Sequence, residues 1–374
     1  MRILHVVPTY LPATRYGGPI YAVHGLAKAL AARGHEVDVF TTNVDGPGVS
    51  DVALDRPVML DGVRVNYFAA SLARLYLSPG MRRALRSSIS RYDVAHLHSV
   101  YLWPTAAAAR AAAAHGVPYV ISPRGMLVRD LIARKSRLVK SLWLTMIERR
   151  NFARAAAIHF TSERELEDAG DIGLPLPSTF VVPNGIDLPP ASSDERDSAT
   201  ILFLGRVTWK KGLDRLVSAL PMIEGARLEI AGNDEESYIP RLRDLAVRLG
   251  VGERVAFLGH VEGEVKRALL ARATLFALSS LSENFGNAVL EAMAASTPVV
   301  VTPEVGLAAE VARSGAGIVA QGDPRFLADA ISQLLRDPAR CAEMGARGRK
   351  AVEDRYTWSR VAEEMESHYA RLRR

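Results

Sequence analysis

Short runs of β-forming residues alternate with helical segments twice along this chain, and a stretch without periodicity separates the two series. In the first series Ile3–Val7, Val37–Thr41, Val94–His98 and Tyr119–Ser122 read as strands, and Tyr21–Ala32 and Ala106–Ala114 as helices between them. Strands joined through helices pair in parallel, so the pattern predicts a parallel sheet with helices on its faces. Gly34 and the Gly116-Val117-Pro118 run stop the helices ahead of the next strands. The second series comprises Ile201–Leu204, Leu228–Ala231, Val255–Leu258, Thr274–Leu278 and Pro298–Val301. Between the series, Leu188–Ser198 is rich in Pro, Ser and charge and reads as a linker. After Tyr356, Ser359–Leu372 reads as one more helix. The expected fold class is therefore α/β, with two doubly wound domains at 1–187 and 199–357, a linker at 188–198 and a terminal helix at 358–374. With 374 residues, 48% of them apolar, the chain can fill two cores. Ligands of such sheets lie beyond the carboxyl ends of the strands.

Composition narrows the function classes. The single cysteine, Cys341, has no partner for a disulfide and no companion at metal-ligand spacing. No window approaches the roughly 18–20 uninterrupted apolar residues of a membrane span, and the amino terminus lacks a signal-peptide core. A cytoplasmic protein is expected. The net charge of +6 is concentrated locally: between Arg124 and Arg154 lie Arg129, Arg134, Lys135, Arg137, Lys140, Arg149 and Arg150, opposed only by Asp130 and Glu148. Leu127, Leu131, Leu138, Leu142, Trp143 and Met146 recur there at helical spacings. Two readings stay open for segment 124–154: a solvated helix face, or a surface meeting anionic lipid at the inner face of the cytoplasmic membrane or a phosphate-bearing acceptor. A nucleic-acid partner is not expected.

The chemistry is concentrated where strands turn into helices. In Gly205-Arg206-Val207-Thr208-Trp209-Lys210-Lys211-Gly212 the glycines allow a sharp turn, and Arg206 and Lys211 are placed to meet a diphosphate. In Ser282-Glu283-Asn284-Phe285-Gly286-Asn287-Ala288-Val289-Leu290-Glu291, a helix starting near Phe285 would aim the amides of Gly286, Asn287 and Ala288 at a phosphate. Carboxylates repel phosphate, so the sensible partners of Glu283 and Glu291 are hydroxyls: those of the transferred sugar for Glu283, those of the ribose for Glu291. In the first half, Tyr16-Gly17-Gly18-Pro19 precedes a helix and can bring bare amides to an anion. It lacks the Gly-x-Gly-x-x-Gly fingerprint, which disfavours a hydride-transfer enzyme. Alternation puts His96 and His98 on one face of their strand. Two ligands make no metal site, and none is expected. A histidine there can bond a sugar hydroxyl or be satisfied structurally. Arg124, in Ser122-Pro123-Arg124-Gly125, can bind phosphate or a neighbouring carboxylate.

With these motifs in order, the chain resembles the retaining glycosyltransferases of family 4, which have the GT-B fold of two facing Rossmann-like domains, an interdomain cleft and a last helix crossing back to the first domain. The Gly17-Gly18 loop, the His98 strand, Pro183-Asn184-Gly185-Ile186-Asp187, Gly205-Arg206 with Lys211-Gly212, and Glu283 with Glu291 carry the likeness along nearly the whole length. The resemblance implies a donor nucleotide-diphosphate sugar of the UDP-sugar or GDP-mannose type. Arg206 and Lys211 would grip its diphosphate, Glu291 the ribose, and Glu283 with residues Asn284 to Ala288 the sugar and phosphate. His98, Gly17 and Gly18 would reach it from the other domain. His98, Glu283, Arg206 and Lys211 are the expected catalytic set, with no cofactor beyond the donor substrate and no metal. The acceptor would be a glycan or lipid-linked glycan, since Ser122-Pro123-Arg124-Gly125-Met126-Leu127 is similar to a subgroup that builds bacterial surface polysaccharides. Ser296-Thr297-Pro298 departs from the usual Gly-x-Pro, and Val305-Gly306-Leu307 carries one glycine where a pair is common. A sugar-nucleotide epimerase is the alternative on the same frame.

Overall fold

A computed structural model describes residues 1–374 except 14, 16, 55, 128–141, 191–195, 235 and 374. The chain divides into one unit formed by Met1–Gly185 with Trp358–Arg374 and a second formed by Ile186–Thr357.

The strands of the first unit are β1 (Arg2–Val6), β2 (Glu36–Thr42), β3 (Val44–Asp45), β4 (Gly48–Val49), β5 (Val58–Leu60), β6 (Val63–Phe68), β7 (Val94–His98), β8 (Tyr119–Ser122), β9 (Ala157–Phe160) and β10 (Thr179–Val181). Eight of them form one sheet in the order β10-β9-β8-β7-β1-β2-β6-β5, while β3 and β4 make a small antiparallel hairpin. All sheet pairings are parallel except β5 with β6. Chain order reverses at β1, which lies between β2 and β7. That is the point where loops part and ligands enter a doubly wound sheet. Every residue of β7, β8 and β9 is buried, as expected of strands covered by helices on both faces. The helix Trp358–Leu372 buries Val361, Ala362, Met365 and Tyr369 in the core of this unit, beside Leu26 and Leu30 of the helix Gly18–Ala32. Its first residue, Trp358, lies so close to Gly25 and Gly185 that a Cβ on either would stand 2.2 or 2.4 Å from the indole.

The second unit carries β11 (Thr200–Leu204), β12 (Arg227–Ala231), β13 (Val255–Gly259), β14 (Leu275–Leu278), β15 (Val299–Val301) and β16 (Gly317–Val319). Their order is β13-β12-β11-β14-β15-β16, all parallel, with the reversal between β11 and β14. Arg206 and Lys211 follow the first of these strands and Glu283 the second.

Three expectations need correction. The sheets also contain β5, β6, β9, β10 and β16; β5, β10 and β16 have three residues each, too short for a periodicity to show. The helix expected from Phe285 begins at Asn287, with Gly286 capping it at φ 102°. The stretch read as a linker is partly bound down. Arg196 donates to the carbonyls of Ala273 and Ser296 at 2.7 and 2.8 Å, and Asp197 pairs with Arg272, so both belong to the second unit. Residues 191–195 of that stretch lie outside the described residues, as do Tyr16 and, of the basic segment, Arg129, Arg134, Lys135, Arg137, Lys140, Leu131 and Leu138. Among the described residues no helix is long and apolar enough to cross a membrane.

Ser296, the residue that departs from Gly-x-Pro, adopts φ 60°. A non-glycine residue in the left-handed region costs roughly 1–2 kcal/mol, offset in part by the greater entropy glycine loses on folding. Ser296→Gly is expected to raise stability by about 0.5–1 kcal/mol in denaturant titration. A lowered midpoint would show that the serine side chain supplies more than the strain removes.

Candidate functional site

In the second unit the carboxyl ends of the strands are built on close backbone approaches. Gly205 and Gly232, at the ends of β11 and β12, both have φ 149°, and a Cβ on Gly232 would stand 1.8 Å from the Gly205 carbonyl oxygen. The Gly205-Arg206 turn therefore needs Gly232 beside it, a requirement that sequence reading misses. A strand followed by Gly232-Asn233 is the only trace it leaves there. Likewise Gly212, at φ 62°, would bring a Cβ to 2.1 Å from the Ser279 carbonyl oxygen. The Ser279 hydroxyl donates to the Gly212 carbonyl at 2.7 Å, and Leu281 N–H to the Lys210 carbonyl at 2.8 Å. These contacts tie the Lys211 turn to the loop that carries Glu283.

On that loop the Lys211 ammonium donates to the Glu283 carboxylate, so the two residues predicted at the donor are in direct contact. Backbone bonds hold Glu283 in turn: its N–H donates to the Glu304 carbonyl at 3.1 Å and its carbonyl accepts from Gly306 N–H at 2.9 Å. A Cβ on Gly306 would lie 2.1 Å from the Asn284 carbonyl oxygen, so the single glycine of Val305-Gly306-Leu307 is the one the geometry requires. Glu291, on the helix Asn287–Ala294, accepts from Lys266 Nζ at 3.0 Å. Each carboxylate thus has its own lysine, which offsets its charge. Arg206 is exposed, and Asn284, Asn287 and Ala288 are half-buried. Phe285 is not available as a side-chain contact: it is 3% exposed and packs in the core of the unit. Its amide and that of buried Gly286 precede the helix instead of opening it.

In the first unit Gly17 caps the helix Gly18–Ala32 at φ 64°, with open space where its side chain would be and Pro19 in the first turn. A bare helix amino terminus favours an anion. His98 is placed differently from the expectation of a histidine facing a ligand. It is 1% exposed, and both ring nitrogens are engaged.

Hydrogen-bond direction fixes the tautomers here. Arg124 has only donors, so His98 Nδ1, 3.3 and 3.4 Å from its guanidinium nitrogens, is the acceptor. His98 then carries its proton on Nε2 and donates to His5 Nδ1 at 2.9 Å. His5 in turn bears its proton on Nε2, which is buried without a partner. From the other end, His159 Nε2 donates to the Val182 carbonyl at 2.8 Å and its Nδ1 accepts from His96 Nε2 at 3.3 Å. His96 Nδ1 accepts from the Tyr369 hydroxyl at 2.6 Å. Parallel pairing sets His5 of β1 opposite His96 of β7, an adjacency the local pattern does not reveal. Nitrogens of His5, His96 and His98 lie within 4.8 Å of one another, the spacing of a candidate metal set. With these directions the rings form two hydrogen-bond chains, Arg124 to His98 to His5 and Tyr369 to His96 to His159 to the Val182 carbonyl, with protons on Nε2 of both His96 and His98. Burial, reinforced by the charge of Arg124, pushes His5 and His159 down to about 3; His96 and His98 also fall well below the usual histidine value, chiefly through burial. A hydroxyl could reach His98 only by replacing one of its present partners.

Residues 188–351 match the family described as glycosyl transferases group 1, and residues 17–185 match the glycosyl transferase 4-like domain. The chain is 32% identical to a D-inositol 3-phosphate glycosyltransferase of Xylanimonas cellulosilytica, over 99% of this chain and 95% of that protein. It is 30% identical to a phosphatidyl-myo-inositol mannosyltransferase of Mycobacterium leprae, over 93% and 91%. Among solved structures, sucrose-phosphate synthase of Thermosynechococcus elongatus superposes with a TM-score of 0.80 at 23% identity, covering 100% of this chain and 99% of that one. Anabaena HepE in complex with UDP and glucose gives 0.78 at 20%, covering 99% and 100%. At these identities the two structures establish the fold. The chain is a glycosyltransferase, belonging to glycosyltransferase family 4 and built on the GT-B fold.

Proposed function

We propose that the enzyme transfers a hexosyl group, with retention, from a nucleotide-diphosphate sugar of the UDP-sugar or GDP-mannose type to a glycan or lipid-linked glycan in bacterial polysaccharide or lipopolysaccharide assembly. The observation that carries this reading is the contact of Lys211 with Glu283 at the carboxyl ends of β11 and β14. The cation addresses the diphosphate, and the carboxylate beside it addresses the sugar attached to that diphosphate. HepE, which shares the fold, is known in complexes with UDP and with UDP-glucose, which supports a nucleotide-sugar donor.

Cleaving the anomeric bond drives negative charge onto the leaving diphosphate, and cations and amides already oriented there stabilise it without reorganising. Glu283 and Glu291, each paired with a lysine, are read as partners of sugar and ribose hydroxyls, and neither is assigned the role of covalent nucleophile. The mechanism we favour is displacement on one face, with the leaving phosphate assisting removal of the acceptor proton. The anomeric configuration of the product, read by proton NMR, is expected to match the donor; inversion would overturn the mechanism. Arg206 and Lys211 supply the positive charge, so activity is expected to persist in EDTA, and loss that magnesium restores would contradict this. Incubation with donor alone is expected to leave the sugar unepimerised.

Contact with the inner face of the cytoplasmic membrane is supported by Leu142 and Met146, 65% and 68% exposed, beside the exposed Arg149 and Arg150. Co-sedimentation with vesicles containing anionic lipid, falling as salt is raised, is expected. Binding unchanged in Leu142→Ser/Met146→Ser protein would refute this surface.

A further inference from the structure

The first unit holds a cation without a matching anion. Arg124 is half-buried after β8, and among the described residues no carboxylate lies within 4.0 Å of its guanidinium. Neutral acceptors hold it: His98 Nδ1, and Asn184 Oδ1 at 2.7 Å. The acid beside it, Glu165, is 3% exposed and committed elsewhere. One of its oxygens accepts from Gly125 N–H at 2.6 Å, and the other from the Thr161 N–H and hydroxyl at 2.7 and 2.9 Å. Glu165 thus braces the turn and acts on the guanidinium only through its charge, without a direct ion pair, and burial outweighs that attraction.

Removing a guanidinium from water without an ion-pair partner in contact is costly, and its desolvation pushes Arg124 down to about 10 despite the nearby charge of Glu165. The backbone is also held against its preference, with Arg124 at φ 55° and Gly125 at φ 74°. Such strain persists where a side chain must be aimed. The turn puts Arg124 at the carboxyl end of the sheet, where a doubly wound fold binds its ligands. Three of the five guanidinium N–H groups are used, leaving one on each terminal nitrogen to meet an oxyanion.

We propose that Arg124 anchors a phosphate group of the acceptor, so that the acceptor is a phosphate ester or diphosphate rather than a neutral glycan. The proposal rests on the glycosyltransferase reading and names the acceptor class of that enzyme. The phosphate could belong to a small sugar phosphate or to a lipid-linked carrier; both present the same oxygens to Arg124.

The test uses Lys211→Ala protein, in which the diphosphate grip of the second unit is disabled. It is titrated calorimetrically with inorganic phosphate, a hexose 6-phosphate and a polyprenyl phosphate in detergent micelles. Inorganic phosphate is expected to bind, and Arg124→Met in the same background is expected to weaken it roughly tenfold or more, with Arg124→Lys intermediate. Tighter binding of the hexose phosphate would identify a small acceptor; tighter binding of the polyprenyl phosphate would identify a lipid-linked one. Equal phosphate affinity with and without Arg124, in variants whose circular dichroism and melting match the parent, would overturn the proposal. So would absence of phosphate binding in Lys211→Ala protein. Nucleotide sugars that raise the wild-type melting temperature while phosphate fails this test would sink the acceptor inference alone. Failure of every nucleotide sugar to bind would instead remove the reading beneath it.

Discussion

Acidification from pH 7.5 to 5.5 is expected to remove about 5 kcal/mol of stability from the first unit. His5, His96, His98 and His159 are fully buried and neutral, with folded pKa values far below that of an unfolded histidine near 6.5. Below pH 6.5 the unfolded chain binds protons that the folded chain refuses, so stability falls with pH until the folded values, about 3 for His5 and His159, are approached. The stability is fully present above about pH 6.5, and each further unit of acid costs about 1.4 kcal/mol per histidine. Four such groups bring the loss to the lower end of the roughly 5–15 kcal/mol that holds a domain folded. The second unit contains one histidine, His260, which is exposed, so its transition should move far less. Urea titrations at the two pH values, followed by probes in each unit, measure this. Equal midpoints for the first unit would show that the rings are not held neutral. His159→Gln should reduce the acid loss by about a quarter.

Lys211→Ala is expected to lower kcat/KM by a few hundred-fold, about 3–4 kcal/mol, with circular dichroism unchanged. Two effects add. The diphosphate loses a fixed cation, and Glu283, which Lys211 now neutralises, is left as an unpaired carboxylate facing the same anion. Lys211→Ala/Glu283→Gln should therefore recover about tenfold of the loss, because the repulsion is removed while the missing cation is not restored. Arg206→Ala should show a loss of the same order as Lys211→Ala. Near-wild-type turnover in either single variant would remove both residues from the donor grip.

Much of this was legible in the residues. Strands such as Val94–His98 and Tyr119–Ser122 stand where their β-rich runs put them, although β7 also buries two histidines that a strand covered on both faces would ordinarily exclude. The Glu283 and Lys211 loops were legible as well, because strand-to-helix turns need glycine and local polarity. The start of the helix after Glu283 was not legible: expected near Phe285, it begins at Asn287, because Phe285 fills the core and Gly286 takes the left-handed cap.

The sequence by itself determined the α/β class, the doubling of the pattern, the positions of the loops that carry Arg206, Lys211 and Glu283 and that of the helix that carries Glu291, because hydrophobic period and turn chemistry are local properties. Only the tertiary structure decided which distant groups meet. It set His5 beside His98 from 93 residues away, brought Tyr369 of the last helix to His96, and gave Arg124 neutral partners in place of a carboxylate. Strand order and helix docking make those encounters, and neither is written in any single stretch of the chain.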